Sequence, residues 1–152
     1  MISERPGYSG NVRGRRVIVV TGKSRPHELL LLAYGAIVGI ATLLGERSNA
    51  AALAPTWAMY SWSIGLVVSG VLGIGASLWR TALVRALEVE RGALLIGAGA
   101  ILLYSANVFA FGFTWNAMVA AGIVSAWGAA NIWRAWQITI ELRRIATAAV
   151  EE

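Results

Sequence analysis

Four long runs of apolar residues, with charges only at Glu28 and Arg134 near the ends of two of them, leave this chain little choice of environment. They span residues 28–45, 57–79, 92–113 and 115–136. A helix needs about 20 apolar residues to cross the hydrocarbon core of a bilayer, and ~17 is the lower edge. The first run, Leu29 to Leu44, reaches that edge when Glu28 and Gly45 lie at the interface. A water-soluble core fails on size. The chain has 152 residues, 57% of them hydrophobic and 14% charged. Small soluble domains bury only ~60–70% of their surface and carry about 25% charge. The expectation is an all-α integral membrane four-helix bundle of two helical hairpins, with amphipathic cytoplasmic segments. Between the third and fourth runs, Phe113-Thr114-Trp115-Asn116 leaves room only for an antiparallel turn.

Apart from Glu28 and Arg134 at run ends, the charges fall outside these runs, and the chain divides into a basic leader (1–27), a four-span domain (28–136) and a tail helix (137–152). The leader holds Arg5, Arg13, Arg15, Arg16, Lys23 and Arg25 against Glu4. Pro6, Gly7, Gly10 and Gly14 oppose a helix at its start. Val17-Ile18-Val19-Val20 is long enough for one short strand or to rest on a membrane surface. Arg47 alone lies between the first two spans, whereas Arg80, Arg85 and Arg91 lie between the second and third. Arg134, Arg143 and Arg144 belong to the C-terminal side. With the N-terminus inside, twelve basic residues are cytoplasmic and one is external, a one-sided case of the positive-inside rule. Both termini are therefore expected in the cytoplasm.

Tryptophan placement agrees. Trp57, Trp62 and Trp115 are expected near the outer interface and Trp79, Trp133 and Trp136 near the inner one, as amphipathic rings prefer. Trp127 lies deeper and is expected to pack between helices. The small residues after the first run, Ser48-Asn49-Ala50 and Ala52-Leu53-Ala54, resemble a signal cleavage site. The long leader, Glu46, Arg47 and Pro55 argue against processing there. A faint similarity links residues 75–80 (GASLWR) with 128–134 (GAANIWR). A parallel repeat would produce it; an inner-interface Trp-Arg ending is the simpler explanation.

Little in the sequence carries chemistry. Cys and Asp are absent, and His27 is the only histidine, so no thiol chemistry or metal site is expected. His27 is most simply an interfacial polar residue. Thr21-Gly22-Lys23-Ser24 resembles the end of a phosphate-binding loop, but Val17 stands where that loop needs its first glycine. All eight acidic residues are Glu, and all lie outside the spans except Glu28 at the edge of the first. Coupled carriers and voltage sensors keep ionisable groups within the membrane, which counts against those classes but leaves a pore lined by hydroxyls and backbone open. The formal charge of +5 sits beside hydrophobic spans and points to an anionic bilayer surface through Arg13, Arg15, Arg16, Lys23 and Arg25. No enzyme activity, cofactor or nucleic-acid partner is expected.

The spans do carry small residues in register. Gly65, Ser69, Gly73 and Ser77 recur every fourth position in the second, Gly35 and Gly39 form a GxxxG element in the first, and Ala117, Ala121, Ser125 and Ala129 line the fourth. Such faces allow close helix approach in lipid, within the bundle or between copies. Asn107 and Asn131 are expected to bond across helices. Outside the spans, Leu83, Ala86 and Leu87 oppose Thr81, Arg85 and Glu88. In the tail, Ile138, Leu142, Ile145 and Ala149 form a stripe, with Glu141 three residues before Arg144. No Pro or Gly separates the fourth span from this tail, so one helix is expected from about Ala117 to Ala149, projecting from the membrane or bending onto it.

The basic leader, the uncharged spans, the tight hairpin and the Ala/Gly/Arg/Trp-rich composition resemble small multi-span membrane proteins of actinobacterial phages, some of which are holins. That resemblance implies a bacterial inner-membrane protein that permeabilises the bilayer by homo-oligomerising through its small-residue faces. Two other classes fit the same residues. One is a membrane anchor or assembly subunit that binds a membrane-protein partner through its cytoplasmic segments; the other is a small channel or transporter component.

Overall fold

A computed structural model of the chain describes residues 11–12, 15–16, 26–45, 55–79, 83–111 and 114–150. Four helices make up the fold: α1 (Pro26–Leu44), α2 (Thr56–Leu78), α3 (Leu83–Phe111) and α4 (Trp115–Val150). Ahead of them, β1 (Asn11–Val12) and β2 (Arg15–Arg16) form a two-residue antiparallel ladder, with Asn11 opposite Arg16 and Val12 opposite Arg15. The calls on Arg13, Val17 to Val20, Thr21 to Ser24 and Arg25 lie outside the described residues.

Local chemistry sets the helix ends. Pro26 opens α1, where its missing N–H costs nothing, and Glu28 in the first turn complements the helix dipole. Beyond Leu44, the Gly45 N–H donates to Ala41 O at 2.8 Å. Pro55 precedes α2, and its carbonyl accepts from Ala58 and Met59. Trp79 closes α2 in extended backbone, donating to Ala76 O. Thr114 Oγ1 accepts the Ala117 N–H at 3.3 Å and caps α4.

Among the described residues, three helices are long and apolar enough to cross a membrane: His27–Leu44, Thr56–Leu78 and Val84–Phe111. The first part of α4 is more dilute, because Asn116, Ser125, Asn131 and several Gly and Trp residues interrupt its aliphatic content. Large apolar side chains face outward on every helix, among them Ile37, Ile64, Val71, Leu95, Phe109 and Ile123. Water would penalise such a surface, and lipid tolerates it.

The third span requires a correction. Residues 83–91 are not a separate amphipathic segment, since they continue into the span as one 29-residue helix. Likewise α4 runs unbroken for 36 residues, about 54 Å, against a hydrocarbon core of ~30 Å. Its excess length neither hangs free nor bends away. Ile138 is fully buried, and with Ala135, Leu142 and Ile145 it packs on Leu87 and Leu94 of α3. Ala86 and Leu87 are buried while Arg85 and Glu88 are exposed, so the expected two-sidedness of this segment holds.

Each helix packs on its sequence neighbours, antiparallel throughout, but the backbones of α1 and α4 do not approach one another. Side chains alone bridge that seam. The main core lies beside it: Met59, Trp62, Leu66, Ala100 and Ile101, flanked by Val38, Tyr104, Val124 and Trp127. Trp62 is therefore a core residue, 8% exposed and 4.9 Å from the Tyr104 ring centre, not an interfacial anchor. The other expected interfacial tryptophans, Trp57, Trp79, Trp115, Trp133 and Trp136, are exposed.

Candidate functional site

The polar centre of the molecule lies where α1 begins and α4 passes it. Arg134 of α4 sits there with only 19% of its side chain exposed. Its Nε lies 3.7 Å from Glu28 Oε1 of α1, and its Nη1 3.7 Å from Glu141 Oε1, two turns further along α4. Nη2 donates to Glu90 Oε1 of α3 at 3.4 Å. Three carboxylates thus face one guanidinium, and three helices meet at it. Nε is buried without a hydrogen-bond acceptor, because Glu28 stands just too far away.

This corrects the reading of the charges. Arg134, counted above among the cytoplasmic-side cations, is also the centre of an ion-pair cluster, and Glu141 pairs with it where Arg144 was the expected partner. A signal for the cluster was present in the sequence. Glu28 and Glu90 each precede an apolar run going one way, and Arg134 ends a run coming back. In an up-and-down array those three positions reach the same level. Single-helix patterning hides this, because the three belong to three helices.

Above Arg134, two cavities lie along the α1–α4 seam. A cavity of about 130 Å³ is lined by His27, Glu28, Leu31, Leu94, Asn131 and Arg134, among others. A second, of about 320 Å³, lies between Tyr34, Val38, Thr42, Trp62, Tyr104 and Val124. Trp127 walls both. Its ring rests over Gly35, where a Cβ would stand 3.3 Å away, and 6.5 Å from the Tyr34 ring centre. The expectation that Trp127 packs between helices is met. Among the described residues no three His or Glu side chains converge in metal-binding geometry.

The small residues singled out in the sequence are used inside the fold. Four residues advance a helix by slightly more than one turn, so an every-fourth stripe winds around the cylinder. Gly65 and Ser69 consequently face α3, at Ala100 and Gly97, while Gly73 faces Leu32 of α1. Ser77 bonds its own helix at Gly73 O. Gly39 meets α2 most closely, where an added Cβ would lie 2.6 Å from Ser63 O. In α4, Ala121 is buried and its carbonyl accepts from both Ser105 Oγ of α3 and Ser125 Oγ, whereas Ala129 is exposed. Asn107 departs from expectation, donating to Leu103 O in its own helix. Asn131 lies against α3, its Nδ2 3.5 Å from where a Gly97 Cβ would stand, which is packing contact and not the expected hydrogen bond.

No family model, curated protein or solved structure matches this chain.

Proposed function

We propose that the chain is a non-enzymatic integral membrane protein of the bacterial inner membrane. It crosses the bilayer four times with both termini cytoplasmic, and serves as an anchor that recruits a partner through α3 and α4. One observation carries the reading. Beyond the level of Arg134, α3 and α4 continue as a packed pair with its own buried cluster around Ile138. A helix that merely lay on the membrane would turn its apolar stripe to lipid, whereas here the stripe is spent on α3. What remains outward on the projection includes Arg85, Glu88, Arg143 and Arg144, a polar surface suited to a soluble or juxtamembrane partner. The charge distribution of twelve basic residues against one supports the orientation. Inclusion of α4 as a span is supported by its shared core with α3 and by outward Val119 and Ile123.

Photo-crosslinking amino acids at Glu88 and Arg143, with Ile64 as a lipid-facing control, test this in cells. Discrete heterologous adducts from the two projecting positions alone support recruitment. No adduct at either position in correctly inserted protein refutes it.

A second reading, holin-like permeabilisation by self-association, has an observation of its own. The α2 stripe is used internally, but Gly99 and Gly122 have open space where a side chain would stand. A free small-residue patch therefore remains on the outer sides of α3 and α4. Abrupt depolarisation after a lag, followed with a voltage-sensitive dye on induced expression, would select this reading over recruitment.

A further inference from the structure

The α1–α4 seam has a polarity gradient that neither functional reading uses. At one end three carboxylates surround Arg134, and two of the four residues, Glu28 and Arg134, line the smaller cavity. Beyond Trp127 the larger cavity is walled by four aromatic rings, Tyr34, Trp62, Tyr104 and Trp127. Its one aliphatic hydroxyl, Thr42 Oγ1, is already committed to Val38 O at 2.8 Å. Polar, then aromatic and apolar, along a groove parallel to the helices is the order of groups in a membrane amphiphile entering from the charged end.

Charge chooses the head group. Glu28 is the one carboxylate that lines the smaller cavity. With Glu90 and Glu141 behind it around a single guanidinium, the cluster has a net negative formal charge, which favours an added cation at Glu28 over an added anion. The larger cavity, about 320 Å³, falls in the range of small-ligand pockets. The seam is also the one side of the array where backbones do not meet, so an occupant can enter sideways from lipid.

We propose that the α1–α4 seam binds an ammonium-headed membrane lipid, its head at the Glu28 carboxylate and one acyl chain in the aromatic cavity beyond Trp127. Its depth in the inner leaflet rests on the topology proposed above; the head-group preference does not. The lipid test and the topology test can therefore fail separately.

The whole chain predicts the opposite preference. With a formal charge of +5 and a basic leader, non-specific adsorption favours anionic lipids. The experiment is retention of lipid by the purified full-length protein, read by native mass spectrometry after extraction from vesicles of equimolar phosphatidylethanolamine and phosphatidylglycerol. The expected result is one retained phosphatidylethanolamine, enriched at least about threefold over phosphatidylglycerol, a preference of ~0.65 kcal/mol. Glu28→Gln should abolish the enrichment, and Val124→Phe, which fills the larger cavity, should reduce retention of both lipids. Melting temperatures within a few degrees of the parent identify variants that still fold. Retention favouring phosphatidylglycerol, no retention by the parent, or unchanged enrichment in a folded Glu28→Gln variant would each overturn the proposal.

Discussion

The two hairpins use different means to hold their helices together. In α1–α2, of 19 and 23 residues, glycines bring the backbones close. A Cβ at Gly39 would stand 2.6 Å from Ser63 O, and one at Gly70 would stand 2.6 Å from Ala36 Cβ. The longer α3–α4 hairpin shares the close-packing device at Gly128, which meets Ile101, but towards the C-terminal end of α4 it relies on Leu87, Ile138 and Leu142. The membrane placement proposed above accounts for the contrast. Between helices bathed in lipid there is no hydrophobic gain from association, so close van der Waals contact must supply it. Where a pair leaves the bilayer, burying Leu and Ile is favourable by ~1.5–3 kcal/mol per side chain.

The largest effect that tests this contrast is expected at Ile138. Replacing it with Ala removes a fully buried side chain from the projecting cluster and should cost about 3 kcal/mol there. Limited proteolysis should then cut within residues 137–150 while the spans stay protected. Protection lost equally in all four helices would mean that the projection is not an independent packing unit.

A somewhat smaller effect is expected in the first hairpin. Gly39→Leu must displace the backbone of α2 and should cost about 2 kcal/mol, measurable by unfolding in mixed micelles. Gly75→Leu, on open space in α2, should stay within ~0.5 kcal/mol. Gly73→Leu belongs between them, because the atoms it meets are the flexible end of Leu32. If Gly39→Leu and Gly75→Leu behave alike, glycine contact is not what holds α1 to α2.

These residues also mark how far the sequence could be read. Helix number, antiparallel order, the tight Thr114 turn and the unbroken α4 followed from apolar run lengths and from where Pro and Gly fall. The role of the stripe did not, because Gly65 and Gly73 share a spacing but face different neighbours. The seam was also hidden. Trp62 and Tyr34 look like ordinary span residues, and only the placement of four helices brings their rings toward one cavity. Glu28, Glu90 and Arg134 were visible as span-end charges, yet their convergence is a property of depth in the assembled array. Likewise GASLWR and GAANIWR look alike as strings, but the first ends a helix at Trp79 and the second lies inside one.

Glu28→Gln should have a still smaller effect on stability, about 0.5–1 kcal/mol. Glu28 is partly exposed, its distance to Arg134 is 3.7 Å, and Glu90 and Glu141 still face the guanidinium. Because α1 and α4 are bridged only by side chains, the change should be local. Hydrogen exchange should quicken in the first two turns of α1 and stay constant in α2 and α3. A uniform change would show that the seam is no weaker than the glycine-packed interface beside it.

The smallest effect on stability, and the most informative for function, is expected at Gly99. An added side chain there meets nothing within the protein, so Gly99→Leu should leave unfolding within ~0.5 kcal/mol of the parent. It does alter the outward face of α3, where Gly99 lies between exposed Leu95 and Leu102. The gap that Gly99 leaves between two leucines is where a side chain of a second copy could seat in lipid, and a leucine at 99 closes it. If copies associate through this patch, Gly99→Leu should convert oligomer to monomer in crosslinking and delay any depolarisation on induction. Gly73→Leu, buried against α1, should instead weaken the fold itself. If Gly99→Leu changes neither assembly nor membrane potential while substitutions at Glu88 and Arg143 abolish partner adducts, the α3–α4 projection carries the function and self-association does not.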